Sequence, residues 1–131
     1  MMKRILFAVA AILIASTAYA ADPWKTMETS LGKVWTDANG MTLYTYDKDT
    51  KGADTSACTD KCIVNWPPFL AAADAKAMGD WTLVNVTDKD GKAQKMWAYD
   101  GMPLYLFIKD TKAGDVTGDM VAGVWHIAKA E

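Results

Sequence analysis

Two stretches of the chain carry nearly the same sequence: NGMTLYTYDKDTK at residues 39–51 and DGMPLYLFIKDTK at residues 100–112. They align without a gap at a constant offset of 61 residues, and Gly, Met, Leu, Tyr, Lys, Asp, Thr and Lys coincide in that order. A tryptophan precedes each copy, Trp35 in the first and Trp97 in the second. Self-similarity at a fixed spacing is the signature of a repeated structural unit. We therefore interpret the chain as a duplication, with repeats at about residues 32–54 and 95–128.

Each copy has the pattern of a β-hairpin. A strand that carries the tryptophan leads into a turn at Asn39-Gly40 or Asp100-Gly101, where glycine can adopt the positive φ that tight turns need. The returning strand alternates between two faces and is rich in aromatic residues, which is typical of a strand. Another turn at 88–91 separates predicted strands at 81–87 and 92–99, and a last strand is expected at 123–128. The predicted fold class is all-β (β-rich), with two repeated hairpin units in a meander of about six strands.

The segment between the two repeats is predicted to contain one short helix. Cys58, Cys62 and Trp66 recur at every fourth position, which places them on one face of a helix. Pro67 and Pro68 then end it, because proline cannot continue a helix interior. In an exported protein two cysteines most often bond to each other, so we expect a Cys58–Cys62 disulfide that staples this helix. Redox exchange and metal ligation remain alternatives for the pair.

The first 20 residues have the three parts of a cleaved signal peptide. Lys3 and Arg4 are positively charged, Ile5 to Ala15 is an uninterrupted apolar run, and Ala18-Tyr19-Ala20 matches the small-x-small cleavage pattern. The apolar run is shorter than the roughly 20 residues that span a bilayer. We expect cleavage after Ala20, a periplasmic or secreted single domain over residues 21–131, and no membrane insertion thereafter. The alternative is an N-terminal core helix.

The charge balance of the expected mature chain disfavours nucleic acid as a partner. Without Lys3 and Arg4, the 14 basic residues fall to 12 against 16 acidic residues, which gives a net charge of −4. No arginine remains, and no basic stripe that could bind a phosphate backbone is apparent. An anionic membrane surface is disfavoured on the same ground.

Metal binding has only weak candidates in this sequence. His126 is the sole histidine, whereas zinc sites use three or four protein ligands. A soft copper site drawing on His126, Met41 and Met102 is an alternative, although methionine is more commonly a filler of small cores. The Asp-rich loops at 47–54 and 110–119 suggest either calcium ligands or ordinary solvated turns. No cofactor is predicted, and copper, haem and calcium stay open as alternatives.

The repeated aromatic residues allow two interpretations. Tyr44, Tyr46, Tyr105 and Phe107 recur at period 2 and face the same way on their strands. Such a stripe is usually core in a small β domain, and recurrence in both repeats favours that interpretation. The alternative is a flat platform for a sugar or a quinone.

The sequence resembles a known bacterial family through a motif that occurs twice. The pattern Tyr-x-aromatic-x-x-Asp appears in each repeat, with Cys58-x-x-x-Cys62-x-x-x-Trp66-Pro67-Pro68 between the copies; its residues are Tyr44, Tyr46, Asp49, Tyr105, Phe107 and Asp110. This is similar to the family of secreted proteins and predicted lipoproteins described as a secreted repeat of unknown function, over about residues 32–128. The resemblance implies no catalytic residues. Many relatives carry a lipid-attachment cysteine near residue 20, which this chain lacks.

From the residues themselves, the motif acids are expected to be structural. Asp49 and Asp110 follow the second aromatic residue by three positions, where each strand enters a loop, so their carboxylates can accept loop amide hydrogen bonds. Replacing either by alanine should loosen a turn. If stability were instead unchanged and a ligand were lost, this interpretation would be wrong.

The function expected from the sequence is that of a non-enzymatic periplasmic binding or envelope-associated module. No Gly-x-Ser-x-Gly motif or phosphate-binding glycine loop appears, and the single histidine has no obvious nucleophile partner. The alternative is a redox or metal accessory to electron transfer that handles copper or haem. A third interpretation is an inhibitor or other protein-binding protein, and the partner is either an unknown periplasmic protein or a small ligand.

Overall fold

The computed structural model describes residues 22–130, so the predicted signal peptide at 1–20 lies outside the described residues. Strands dominate, and the helices are one α-helix, α1 (Lys61–Asn65), and a 3-10 turn at Val121–Gly123. The strands in chain order are β1 (Trp24–Thr29), β2 (Gly32–Asp37), β3 (Tyr44–Tyr46), β4 (Trp81–Thr87), β5 (Ala93–Tyr99), β6 (Met102–Pro103) and β7 (Trp125–Ile127). The β-rich class with one short, disulfide-linked helix is confirmed. None of the helices among residues 22–130 has the length and apolarity that a bilayer crossing requires.

Each repeat opens with a regular antiparallel hairpin. β1 pairs with β2 from Trp24–Asp37 to Thr29–Gly32, and β4 pairs with β5 from Trp81–Tyr99 to Thr87–Ala93. The alternation of the sequence did not predict β1, because only Trp24 on this strand is buried and its other positions are exposed or half-buried. Each repeat therefore begins with a tryptophan-led strand that precedes the stretch recognised from self-similarity.

The returning strands of the two repeats pair with each other, which differs from a simple meander. In the first repeat, the returning chain forms only one β-bridge with β2, between Thr36 and Thr42. The strand that follows, β3, pairs with β7 instead of β2. On its other side Tyr44 exchanges backbone hydrogen bonds with Tyr105, N–H to O at 2.8 and 2.9 Å. Because residues 44 and 105 are equivalent in the two repeats, this exchange relates the repeats by an approximate two-fold axis.

The helix and the last strand are shorter than predicted. α1 begins at Lys61, so Cys58 precedes the helix and Trp66 follows it, while the Cys58–Cys62 disulfide is present and spans the helix entry with a Cα–Cα distance of 5.2 Å. The Ser56 hydroxyl accepts from Cys58 N at 3.1 Å, which holds the upstream chain in a turn instead of a helix. The last strand covers 125–127 because the 3-10 turn, with Ala122 at φ 52°, occupies the positions before it.

The central strands bury side chains on both faces. Side chains alternate along a strand, so Tyr44 and Tyr105 face one hydrophobic cluster while the adjacent Leu43 and Leu104 face the other. All four side chains are fully buried. This two-sided burial places the repeated stretch at the centre of the molecule and leaves binding surfaces to the rim of the sheet and the loops.

Candidate functional site

The two motif tyrosines are hydrogen-bonded across the repeats. Tyr44 Oη of the first repeat donates to Asp110 Oδ2 of the second at 2.5 Å, and Tyr105 Oη donates to Asp49 Oδ2 at 2.6 Å. Each repeat therefore supplies the tyrosine of one pair and the aspartate of the other. Spacing alone did not indicate this exchange, because the partners are 66 and 56 residues apart in the chain. The available signal was that both residue types recur in both repeats.

The second oxygen of each aspartate holds a loop. Asp49 Oδ1 accepts from Ala57 N at 2.7 Å, and Asp110 Oδ1 accepts from Thr117 N at 3.1 Å and from the Thr117 hydroxyl. These bonds agree with the predicted role of the carboxylates as acceptors of loop amides. One loop packs so closely that a Cβ added at Gly118 would lie 2.8 Å from the Tyr44 ring, so this position requires glycine.

Burial keeps the two motif tyrosines in their protonated form near neutral pH. Burial, reinforced by the hydrogen bond to Asp110, holds the pKa of Tyr44 far above its usual value, and burial with the bond to Asp49 does the same for the pKa of Tyr105. Burial also raises the pKa of Asp49, against the opposing hydrogen bonds from Tyr105 and Ala57. Both tyrosines therefore stay protonated and donate to the carboxylates.

Four aromatic rings form a continuous stack beside these pairs. Tyr46 stacks on Trp125 at 4.2 Å between centroids, Trp125 on Trp66 at 3.8 Å, and Trp66 on Phe107 at 4.1 Å. Tyr46 and Phe107 are equivalent by the repeat and lie at the two ends, so the stack follows the approximate two-fold symmetry. The Trp66 of the Trp-Pro-Pro motif is thus a core residue. Three of the four rings are buried and Tyr46 is half-buried, so this set packs the core.

The other four tryptophans form a second symmetric cluster on the opposite face. Trp24 stacks on Trp81 at 3.9 Å with an interplanar angle of 3°. Trp97 meets Trp24 edge-on at 5.0 Å, and Trp35 meets Trp81 edge-on at 5.1 Å. All six tryptophans therefore join residues of the two repeats to each other.

A groove of about 550 Å³ lies beside β7. It mixes apolar and polar side chains and receives residues from both repeats. We call it the β7 groove; it is lined by Leu31, Thr45, Tyr99, Asp100, Met102, Leu104, Asp119, Met120, His126, Ile127, Ala128 and Lys129. Concave sites with a few convergent polar groups are where small ligands usually bind.

His126 has a carboxylate partner at this groove. Its Nε2 lies 2.8 Å from Asp47 Oδ2, and about one third of the imidazole side chain is exposed. Of the two predicted sulfur ligands, Met102 lines the groove with His126, whereas Met41 does not. Met120, which the sequence had not singled out, lines it as well. Its exposure was not readable from the sequence because it depends on the 3-10 turn that follows.

The repeats differ at the pair formed by His126 and Asp47. Asp47 N bonds Val124 O at 2.8 Å, and Ile108 N bonds Asn65 O at 3.1 Å, which makes Asp47 equivalent to Ile108. The carbonyl acceptors are Val124 and Asn65, and each is followed in the chain by one of the two stacked tryptophans, Trp125 and Trp66. The next residues along the chain, His126 and Pro67, are therefore also equivalent.

Pro67 and Ile108, which are equivalent to His126 and Asp47, line a different cavity, whose lining also includes Asp88, Lys89 and Asp90. Pro68 and the exposed Val64 and Leu70 line this smaller cavity as well. The equivalent pairs therefore share a scaffold and differ in chemistry.

The Asp-rich loops are accounted for by internal hydrogen bonds. Asp115 Oδ2 accepts from Thr111 N at 3.0 Å and from Lys112 N at 3.1 Å, and these amides hold the pKa of Asp115 below its usual value. Asp49 and Asp110 are occupied by the tyrosines. Within residues 22–130 no three side chains among His, Cys, Asp and Glu come together as a metal site.

The chain matches a family model described as a secreted repeat of unknown function. Two copies of the model match, at residues 25–69 and 84–129, which together cover more than half of the chain. One matched segment contains Tyr44 and Asp49 and the other contains Tyr105 and Asp110, so the tyrosine–aspartate pairs join the two segments. No curated protein and no solved structure matches the chain.

Proposed function

This chain belongs to the family of secreted repeats of unknown function, and on that premise we propose that it is a non-enzymatic, envelope-associated binding module whose ligand site is the β7 groove. The observation that carries the proposal is the divergence of the repeats at the groove. The residues shared by the two copies are used in the core, in the tyrosine–aspartate pairs and the aromatic stack. Of the polar pair that differs between the repeats, His126 lines the groove and Asp47 contacts its imidazole.

The surroundings of the reactive side chains support a binding role over catalysis. The cysteines are joined in a disulfide, and the Ser56 hydroxyl lies 2.5 Å from Tyr105 Oη, inside a structural network. The motif aspartates are held by tyrosines and loop amides. A nucleophilic active site needs a nucleophile placed next to a base. These groups are instead held in a disulfide and in structural hydrogen bonds.

The groove offers recognition by both shape and polarity. Leu31 and Met120 are exposed large apolar residues on its lining. Thr45 and His126 face each other across the β3–β7 pair and add hydrogen-bonding groups. A small ligand with an apolar part and a polar or cationic part fits these walls.

Export to the periplasm is part of the proposal. The sequence of residues 1–20 and the secreted character of the family support it. We expect the protein in the periplasmic fraction of a Gram-negative host, with an intact mass that corresponds to Ala21–Glu131. Recovery of the full 131-residue chain from the cytoplasm would contradict this assignment.

Filling the groove tests the ligand site. Thermal unfolding of the chelator-treated protein would be measured with copper, zinc, calcium, haem, a quinone and a hydrophobic tripeptide. A ligand at 100 times its Kd stabilises by about 2.7 kcal/mol. We expect at least one to raise the midpoint of the wild type and of Thr82→Trp, which changes an exposed residue outside the groove, but not of Thr45→Trp. A ligand that shifts all three proteins equally, or a panel without any shift, would contradict the groove as the ligand site.

A further inference from the structure

We propose that the β7 groove binds Cu(I) through the thioethers of Met102 and Met120 and the imidazole of His126. This inference rests on the proposed function, because it names the class of ligand that the same groove takes. The three side chains come from separate places in the chain, β6, the loop before the 3-10 turn, and β7, and they line one concavity. Thioether sulfur and imidazole nitrogen together favour copper in its soft monovalent state.

The contact with Asp47 engages one ring nitrogen of His126 and leaves the other available to a metal. When Nε2–H donates to Asp47 Oδ2, at 2.8 Å, the other ring nitrogen, Nδ1, carries the free lone pair. Metal-binding histidines commonly donate their second N–H to a carboxylate, which sets the tautomer and increases ligand basicity. The pair belongs to one repeat only, since proline and isoleucine hold the equivalent positions 67 and 108.

The two methionines of the groove are not core fillers. Met120 has 59% of its surface exposed and Met102 is half-buried, whereas Met96 is fully buried in the core. Met120 is held against the strand that carries His126, because its N–H bonds Trp125 O at 2.6 Å. The adjacent Asp119 accepts from Ile127 N at 3.0 Å, which fixes the loop on the other side of His126.

The charge of the groove suits a cation. Asp100 and Asp119 line it together with Lys129; Asp100 is also paired with Lys51 at 3.2 Å, and Asp47 contacts His126. The two thioethers carry no charge, so the carboxylates of Asp47 and Asp119 supply negative charge near the proposed ion. Zinc prefers three or four thiolate, imidazole or carboxylate ligands, and residues 22–130 gather no such set. The donor set therefore favours Cu(I) over the other metals considered.

The symmetry of the fold provides a control within the same chain. Met41 is equivalent to Met102 by the repeat but does not line the groove. Met78 is exposed to 58%, nearly the same extent as Met120, and lies outside it. If copper simply collected on accessible thioethers, Met78 would serve as well as Met120.

Competition for Cu(I) tests the proposal. The oxidised chain from Ala21 to Glu131 would compete with bicinchoninate for Cu(I) under anaerobic conditions, with circular dichroism of every variant to verify folding. We expect one Cu(I) per chain and a loss of affinity of about ten-fold or more for Met102→Leu, Met120→Leu, His126→Asn and Asp47→Asn. Met41→Leu and Met78→Leu should leave the affinity within about two-fold. X-ray absorption of the loaded protein should show sulfur and nitrogen neighbours.

The outcomes separate this inference from the proposed function. Failure to compete for Cu(I), or equal affinities in all variants, overturns the copper site. If copper fails while Thr45→Trp still abolishes the thermal shift caused by another ligand, the groove remains the binding site and only the metal is wrong. If copper binds but Met41→Leu or Met78→Leu weakens it instead, the copper site is contradicted, and Thr45→Trp alone decides whether the groove binds another ligand.

Discussion

At the scale of single residues, the tyrosines and aspartates of the repeated motif join the two halves of the molecule through hydrogen bonds. Tyr44 and Asp110 are both buried, and each is the polar partner that makes burial of the other tolerable. A hydrogen bond to a charged group contributes about 1.5–3 kcal/mol, and an unpaired buried group costs a similar amount. The motif is therefore predicted to act on the free energy of unfolding and not directly on ligand binding.

A double-mutant cycle measures this link. Asp110→Ala leaves Tyr44 Oη without its acceptor and releases Thr117, so we expect a loss of about 3 kcal/mol in urea unfolding. Tyr44→Phe should cost about 2 kcal/mol, and the double variant should cost clearly less than the sum, since the partners are in contact. Additive losses would show that the pair is not coupled, and unchanged stability with loss of a ligand would contradict the structural role.

The same tyrosines predict an alkaline loss of stability. A tyrosine in the unfolded chain titrates near pH 10, and the folded pKa values of Tyr44 and Tyr105 lie above that. The raised folded pKa means that the stabilisation is complete below about pH 10 and is lost as the pH rises beyond it. We expect the free energy of unfolding to fall from about pH 10 upward, more steeply in the wild type than in Tyr44→Phe/Tyr105→Phe. Equal slopes would contradict the linkage.

At the scale of elements, the disulfide secures a loop and not a helix face. α1 has five residues, too few to be stable alone, and the bond fastens its entry at Cys58. Trp66 then leaves the helix into the aromatic stack, between Trp125 and Phe107. The element thus delivers one large core side chain.

Removing the bond should weaken the protein modestly. The five-residue loop corresponds to about 2 kcal/mol in the chain-entropy account. We expect Cys58→Ser/Cys62→Ser to lose about that amount in urea unfolding and to keep the near-ultraviolet dichroism of its tryptophans. Complete unfolding of the variant would mean that the disulfide does more than close a short loop. An unchanged urea midpoint would show that the disulfide does not stabilise the protein.

At the scale of the whole molecule, the two repeats pack against each other about an approximate two-fold axis. The tyrosine–aspartate bonds, both aromatic clusters and the β3–β7 pairing all cross between the halves. A half alone would expose its tryptophans and leave buried polar groups unpaired. We therefore predict that neither half folds when it is produced without the other.

Fragment complementation examines this prediction. We expect chains of residues 22–78 and 79–130 to show no cooperative unfolding alone and to regain native tryptophan dichroism when mixed, in a concentration-dependent way. Tyr44→Phe in the first fragment should weaken the association, whereas Met78→Leu, at an exposed side chain, should not. Cooperative unfolding of either fragment by itself would contradict the mutual dependence of the repeats.

Local patterns in the sequence determined the β-rich class, the duplication, the Cys58–Cys62 bond and the acceptor role of Asp49 and Asp110. The duplication follows from self-similarity at an offset of 61 residues, and the others follow from periodicity, turn chemistry and short spacing, which act between neighbours in the chain. Only the tertiary structure decided which tyrosine meets which aspartate, that β3 pairs with β7, and that Met120 joins Met102 at a groove while Met41 does not. Those outcomes depend on contacts between residues far apart in the chain, where burial and packing select one partner among several that local patterns allow equally.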